Sequence, residues 1–390
     1  MRLLHTSDWH LGRWLHRADL REAQTQFLDA LVATVRSEKV DVVLVCGDVY
    51  DRAVPSLDAV QLCEDALVRL RDSGARVVVI SGNHDSATRL GFSSTLVDAS
   101  GVHLRTDPSR VGSPLLISDA NGEVGIYALP YLEPESARVL LPADPGAPDE
   151  PIGRGHAGVL QRAMACVRAD RAARRLPRAV VMGHAWVAGG AASESERDIS
   201  VGGVGQVGAG LFEGVDYVAL GHLHAPQKLS EAVRYSGSPL AYSFGEAGQS
   251  KGSWLVEIDD AGLAGAEFVP APAPRQLSSI RGRLDGLLAD PALADVEDHY
   301  LSVVLTDPGR PADPMSRLRR RFTHVLLLDH QPEGAVTVPG TYRTRLAGRD
   351  DLWVARDFVT HVRGTAPDPE EDRLLSEAFD ILGRRSREVA

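Results

Sequence analysis

Five near-continuous apolar runs, RLLHT, VDVVLVC, RVVVIS, RAVVM and DYVAL, constrain this chain more than any other feature. A run of Val, Leu and Ile without polar alternation reads as a strand buried on both faces. Between the first three runs lie segments of helical period. Residues 21–38 carry Phe27, Leu28, Leu31 and Val35 on one face, residues 57–71 follow the capping residue Ser56, and residues 88–99 stop at Gly101. Such strands alternating with helices predict an α/β fold, a parallel sheet covered on both faces and built by right-handed crossovers. In folds of this kind the site lies beyond the carboxyl ends of the strands. Every run here ends in a polar cluster at that edge: DWH, GDVYD, GNHD, GH and GHLH.

The rest of the chain is less regular. Short strands are expected over 102–130, with VGIYALP the clearest. The Pro-, Gly- and acid-rich stretch 141–155 reads as a surface loop, and a helix over about 157–175 leads into RAVVM. The segment VAGGAASESERDISVGGVG after His184 is too polar and Gly-rich for regular structure, and a loop that long is ordinarily functional. VRYSGSP and GSWLVEID are expected to continue as antiparallel strands. PAPAPR, Pro270 to Arg275, is a natural domain boundary. Beyond it a small α+β unit is expected over 275–331, with HYLSVVLTD and THVLLLDH as strands and a basic helix carrying Arg317, Arg319, Arg320 and Arg321 between them. Residues 332–350 read as a linker, and 351–390 as a helix pair.

Composition closes off several classes. With 390 residues, 44% hydrophobic and 24% charged, the chain suits two or three globular domains rather than disorder. The apolar run in MRLLHTSDWH is too short for a signal peptide and no stretch approaches the ~20 apolar residues of a membrane span, so a cytoplasmic location without membrane insertion is expected. Cys46, Cys63 and Cys166 are odd in number and never spaced as CxxC, which indicates buried thiols rather than disulfides or thiolate zinc. The net charge of −11 does not attract nucleic acid by its overall field. A DNA substrate would need local basic patches, metals or a partner.

The strand ends together offer Asp8, His10, Asp48, Asn83, His84, Asp85, His184, His222 and His224. Carboxylate, imidazole and amide oxygen suit borderline divalent metals such as manganese, iron or zinc. An isolated DxH or NHD is ordinarily a cap or turn. Five such clusters, each at the end of an apolar strand, point instead to one site, with Asp48 as the carboxylate bridging two ions ~3.5 to 4 Å apart that clamp a phosphoryl group. Asp51, in the same GDVYD run, reads as a turn residue without a catalytic role.

The order DxH, GDxxD, GNHD, GH, GHxH resembles the calcineurin-like metallophosphoesterases. MRLLHTSDWHLG, VCGDVYDRAVPS, SGNHDS, SESERDISVGG and ALGHLHAPQ resemble, within that superfamily, the bacterial SbcD-type nucleases. The likeness is continuous over the first 269 residues and weaker beyond. It implies a two-sheet sandwich with helices on its faces over 1–270, a capping domain over 275–331 that contacts DNA, and a helix pair over 351–390 that docks on an SbcC-type ABC ATPase. It implies one metal held by Asp8, His10, Asp48 and His224, and a second by Asp48, Asn83, His184 and His222. The metals implied are two manganese ions, with magnesium, iron or zinc accepted by the same donors. His84 would protonate the departing 3′ oxygen, and Asp85 would either orient that imidazole or close its own loop. The implied activity is 3′–5′ exonuclease action on double-stranded DNA and endonuclease action on single strands, in a homodimer within a heterotetramer.

Three local readings stay open beside this. The four arginines bind phosphates or form a solvated helix face. The apolar faces of the last two helices, with Leu352, Trp353, Phe358 and Val359 and then Leu374, Leu375, Phe379 and Ile381, dock on a partner or on their own catalytic domain. Phe92, Leu96 and Val97, with the helix over 57–71, build a dimer bundle or pack in the core. The competing function is a phosphodiesterase or phosphatase of the same superfamily acting on a small nucleotide or a phosphoprotein, which has little need of a cap and helix pair.

Overall fold

The computed structural model describes all residues except 194, 197–206, 334–345, 347, 364 and 389–390, and the side chains of 383–388 are also outside the description. Much of the polar loop after His184 and most of the expected 332–350 linker therefore lie outside the described residues. The chain forms two compact units, Met1–Gln276 and Leu277–Ala390.

In the first unit two six-stranded sheets stack face to face. One runs in the order Leu263–Pro270, Gly252–Ile258, Arg2–Thr6, Val42–Cys46, Arg76–Ile80, Val102–Arg105, and its last four strands are parallel. The other runs Gln227–Lys228, Val233–Tyr235, Tyr217–Gly221, Arg178–His184, Gly122–Leu129, Leu115–Asp119, with its middle four parallel. Side-chain alternation explains why the central runs are apolar throughout. Along Val42–Cys46, residues Val43 and Val45 meet the helices Arg21–Ser37 and Leu57–Asp72, whereas Val42, Leu44 and Cys46 meet Val124, Ile126 and Met182 of the opposite sheet. Helix Gly155–Arg174 covers the outer face of the second sheet. This is the two-sheet sandwich with helices on its faces that the resemblance implies, the second face of the parallel sheet being covered by the other sheet.

Two local expectations change. Val233–Tyr235 runs parallel to Tyr217–Gly221, because the chain first turns back through the short strand Gln227–Lys228. The helix expected over 88–99 breaks into Ala87–Leu90, Ser94–Val97 and a 3-10 turn, since Gly91 ends the first piece and Ser93 sits in the left-handed region at φ 61°. Phe92 and Leu96 remain 80% exposed. Ser56 does cap Leu57–Asp72, accepting from the Ala59 N–H at 3.3 Å. All three cysteines are buried and free.

In the second unit three parallel strands, Leu277–Gly282, Tyr300–Leu305 and Val325–His330, pack with Leu284, Leu318 and Phe322. The first of these is too polar to stand out in the sequence. The basic helix shrinks to Pro314–Leu318, and most of its arginines are used internally. Arg317 pairs with Asp285, Arg319 donates to the Val325 carbonyl at 3.1 Å, and Arg321 bonds Glu297 at 2.8 Å and the Leu287 carbonyl at 2.9 Å. A groove of about 810 Å³ lined by Arg310, Ser316, Arg319 and Arg320 lies beside this helix. The helices Asp351–Arg363 and Pro369–Glu388 are tied by Arg356–Asp372 and Arg363–Glu371 ion pairs. Phe358, Val362, Leu374 and Ile381 on that pair are more than half exposed. No helix among the described residues is long and apolar enough to cross a membrane.

Candidate metal centre and active site

The carboxyl ends of the parallel strands from both sheets converge on one point. Asp8 and His10 follow Arg2–Thr6, Asp48 follows Val42–Cys46, Asn83 and His84 follow Arg76–Ile80, His184 ends its strand, and His222 and His224 follow Tyr217–Gly221. Bringing so many side chains to one point strains the backbone. Asp8, His10, Asp48 and His222 take positive φ angles of 53°, 44°, 48° and 104°, in a region that residues with a Cβ avoid. Strain of this kind clusters at functional sites at a cost of order 1–3 kcal/mol per residue. The glycines beside the donors serve closeness. A Cβ on Gly82 would overlap the Asp48 carboxylate, and one on Gly221 would overlap the Cys46 carbonyl.

Asp48 lies between two groups. Its Oδ2 is 3.7 Å from His10 Nε2 on one side and 3.6 Å from His184 Nε2 on the other. Beside His10, the Nε2 of His224 stands only 3.1 Å from the His10 Nε2, and Asp8, His10 and His224 form a cluster able to hold a metal ion. Beside His184, Asn83 Oδ1 is 2.9 Å from His184 Nε2 and 3.1 Å from His222 Nδ1. Both oxygens of the Asp8 carboxylate share the His222 N–H at 3.1 Å, Ser7 Oγ donates to its Oδ2 at 2.5 Å, and it also clusters with Asp48 and His184.

The donor set fits divalent cations. His184 gives its Nδ1 hydrogen to the Cys46 carbonyl at 2.9 Å, so its Nε2 carries a lone pair and yet points at the Asn83 oxygen, itself an acceptor. Two acceptors at that distance call for a cation between them. Burial keeps His10, His184 and His222 below the usual histidine range and hence neutral, as ligands must be. Burial also pushes Asp8 up to about 6 and raises Asp48, and a nearby cation is what reverses such shifts.

Eight of the nine expected residues thus meet at one point. Asp85 does not face the centre as an orienting group. Its carboxylate accepts from the backbone N–H groups of Val49 at 3.1 Å, Tyr50 at 2.9 Å and Gly82 at 2.8 Å, which uses its lone pairs to lock two strand-end loops together. The His84 ring is oriented instead by the backbone carbonyl of Asp51, 2.8 Å from Nδ1, while the His84 N–H donates to Asp48 Oδ1 at 2.8 Å. Asp51 therefore serves the site through its main chain, which no residue type announces. A cleft of about 500 Å³ opens beside Asn83, lined also by Thr88, Thr106, Tyr131 and Ser136. Glu246 and Lys251, buried behind His224, come from FGEAGQSKG, which reads as an ordinary loop and gave no signal.

The model of the calcineurin-like phosphoesterases matches residues 1–226, more than half of the chain. A second model, SbcD C-terminal, the type 5 capsule protein repressor C-terminal domain, matches residues 273–363. Among solved structures, a protein of Thermus thermophilus is 11% identical over 68% of this chain and 98% of its own, at a TM-score of 0.38. A dimetal phosphatase from Danio rerio is 14% identical over 70% of this chain and 99% of its own, at a TM-score of 0.41. With the first model spanning the whole donor set, the chain belongs to the calcineurin-like phosphoesterase family, whose members are metal-dependent phosphoesterases with a two-metal centre.

Proposed function

We propose that this phosphoesterase is a manganese-dependent DNA nuclease, a 3′–5′ exonuclease on double strands and an endonuclease on single strands, acting with an SbcC-type ABC ATPase in DNA end and hairpin processing. The observation that carries the reading is the match of the SbcD C-terminal family to residues 273–363, on the same chain as the phosphoesterase centre. Asp8, His10, Asp48 and His224 would hold one cation, and Asp48, Asn83, His184 and His222 the other. When bound, the pair supplies an activated water and neutralises charge developing on the phosphate. His84 keeps its Nδ1 on the Asp51 carbonyl, so Nε2 is the atom that gives a proton to the departing 3′ oxygen.

The second unit supports a DNA substrate and a protein partner. Arg310 and Arg320 make no side-chain ion pair among the described residues and share a groove with Ser316, which suits phosphates on a chain whose net charge repels them. The exposed apolar residues of the helix pair suit docking on a partner helix, and Phe92 and Leu96 suit a homodimer contact. The reading is tested with the purified full-length chain, manganese and the ATPase. Cleavage of duplex ends and hairpins is expected. Turnover of small phosphodiesters with no cleavage of DNA would replace the nuclease by the small-substrate enzyme.

A further inference from the structure

His224 is gripped from behind by a buried network that the chemistry described so far does not use. Its Nδ1 lies 2.6 Å from Ser195 Oγ and 3.4 Å from Glu246 Oε1, and Ser195 Oγ also bonds that same Glu246 oxygen. Glu246 is fully buried, and its second oxygen is 2.5 Å from Lys251 Nζ. The same ammonium donates to the His224 carbonyl at 2.8 Å, and its remaining hydrogen is shared between Gln249 Oε1 at 3.0 Å and Ser238 Oγ at 3.1 Å. The His224 N–H goes to Glu196 Oε1 at 2.7 Å.

Hydrogen-bond directions follow from what each group can donate. A carboxylate paired with an ammonium group only accepts. Ser195 therefore directs its single hydroxyl proton at Glu246. The lone pairs of its oxygen then face His224 Nδ1, which must be the protonated ring nitrogen. Nε2 is left with a lone pair, and Nε2 is the atom that faces His10 Nε2 at 3.1 Å in the metal centre. A buried Lys–Glu pair is weak evidence for stability by itself, because desolvation offsets much of the attraction. Its placement on both the ring and the carbonyl of one histidine gives it a different use.

We propose that Lys251, Glu246 and Ser195 form a positioning relay that fixes His224 in the Nδ1–H tautomer and so readies Nε2 to bind metal. The proposal rests on the reading of His224 as a ligand. Its sharpest consequence concerns Glu246→Gln, which preserves shape. The amide oxygen stays with Lys251, the NH₂ group faces Ser195, and the hydroxyl proton is turned toward His224 Nδ1. The relay then runs backwards and places the hydrogen on Nε2, the same kind of tautomer error that an amide in place of a triad carboxylate produces.

The test uses the full-length protein with ¹⁵N-labelled histidine. In the metal-free wild type the His224 signals should show Nδ1–H, and in Glu246→Gln they should show Nε2–H. By calorimetry with manganese, one of two sites should weaken roughly 10- to 100-fold in Glu246→Gln, the range usual for loss of a partner behind a metal ligand. Ser195→Ala should weaken the same site, and Ser195→Thr, which keeps the hydroxyl, should restore it. These two variants decide the matter if Glu246→Gln does not fold. A wild-type Nε2–H tautomer, or undiminished binding in both Glu246→Gln and Ser195→Ala, overturns the relay. His224→Asn separates the layers: loss of one manganese there with none in the relay variants refutes only the relay, whereas two intact sites in His224→Asn refute the ligand reading beneath it.

Discussion

Replacing His84 by Gln isolates proton transfer from metal binding, because the two use different parts of the residue. The tie to Asp48 is the His84 backbone N–H, 2.8 Å from Oδ1, and glutamine at this position retains it. The ring's own bond, 2.8 Å from Nδ1 to the Asp51 carbonyl, can be made by the NH₂ of a glutamine. Only the second nitrogen and its proton are lost. General acid catalysis contributes roughly 10²–10⁴ in rate. The ring is held here by a neutral carbonyl rather than by a carboxylate that would stabilise its cation, which places the expected loss of kcat on DNA at roughly 10²–10³, or about 3–4 kcal/mol at 1.36 kcal/mol per decade. Manganese stoichiometry and affinity should be unchanged by calorimetry. A nitrophenyl phosphodiester, whose leaving group needs no proton, should lose much less than DNA does. Equal losses on both substrates, or loss of metal from the variant, would refute the assignment of His84 as the acid.

Two other substitutions probe the scaffold. Gly82→Ala sets a methyl group against the Asp48 carboxylate, and overpacking of this kind costs about 1–3 kcal/mol, so a lower urea midpoint together with weakened manganese binding is expected; wild-type metal affinity would show that the loop gives way freely. Asp119→Asn removes the partner of Arg178, a guanidinium only 1% exposed that holds the Asp119 carboxyl well below the usual carboxylate range. The Asp119 side chain is 16% exposed, so a loss of about 2 kcal/mol is expected, between the values for surface and buried pairs. Because the native value is depressed, that contribution is complete above the unfolded value of about 4 and fades as pH falls below it toward the native one. The difference between wild type and variant in urea unfolding should therefore be full at neutral pH and shrink in acid, and a difference that grows in acid would contradict the pairing.

Much of this was legible in the sequence for a physical reason. A strand buried on both faces must be apolar throughout, so the abrupt arrival of Asp48, Asn83 or His222 at its end marks both the edge of the sheet and a polar site. What covers the second face is legible in the motif resemblance but not in the apolar pattern itself, since Leu44 looks the same whether it meets a helix or Met182 of another sheet. The positive φ angles of Asp8, His10 and Asp48 contradict the local preferences of those residues and arise only from convergence of the strands. Of its two open readings Asp85 takes the loop-closing one, and the carbonyl of Asp51 meets the His84 ring instead, because main-chain donors and acceptors leave no trace in residue type. Glu246 and Lys251 are charged residues in a loop, a pattern that ordinarily means solvent, and only the folded chain brings them behind His224. The arginines at 317, 319 and 321 read equally as a phosphate-binding or a solvated face until their internal acceptors are seen.

Asp48, 3.7 Å from His10 Nε2 and 3.6 Å from His184 Nε2, is the residue that would serve both proposed cations. The most direct test of that role is manganese stoichiometry by calorimetry and electron paramagnetic resonance on the folded wild type and on Asp48→Asn. The wild type should bind two ions with a spin-coupled signal, and the variant should lose the coupled pair together with phosphodiester hydrolysis. Two ions still coupled in the variant, or a wild type that binds one, would contradict this role of Asp48.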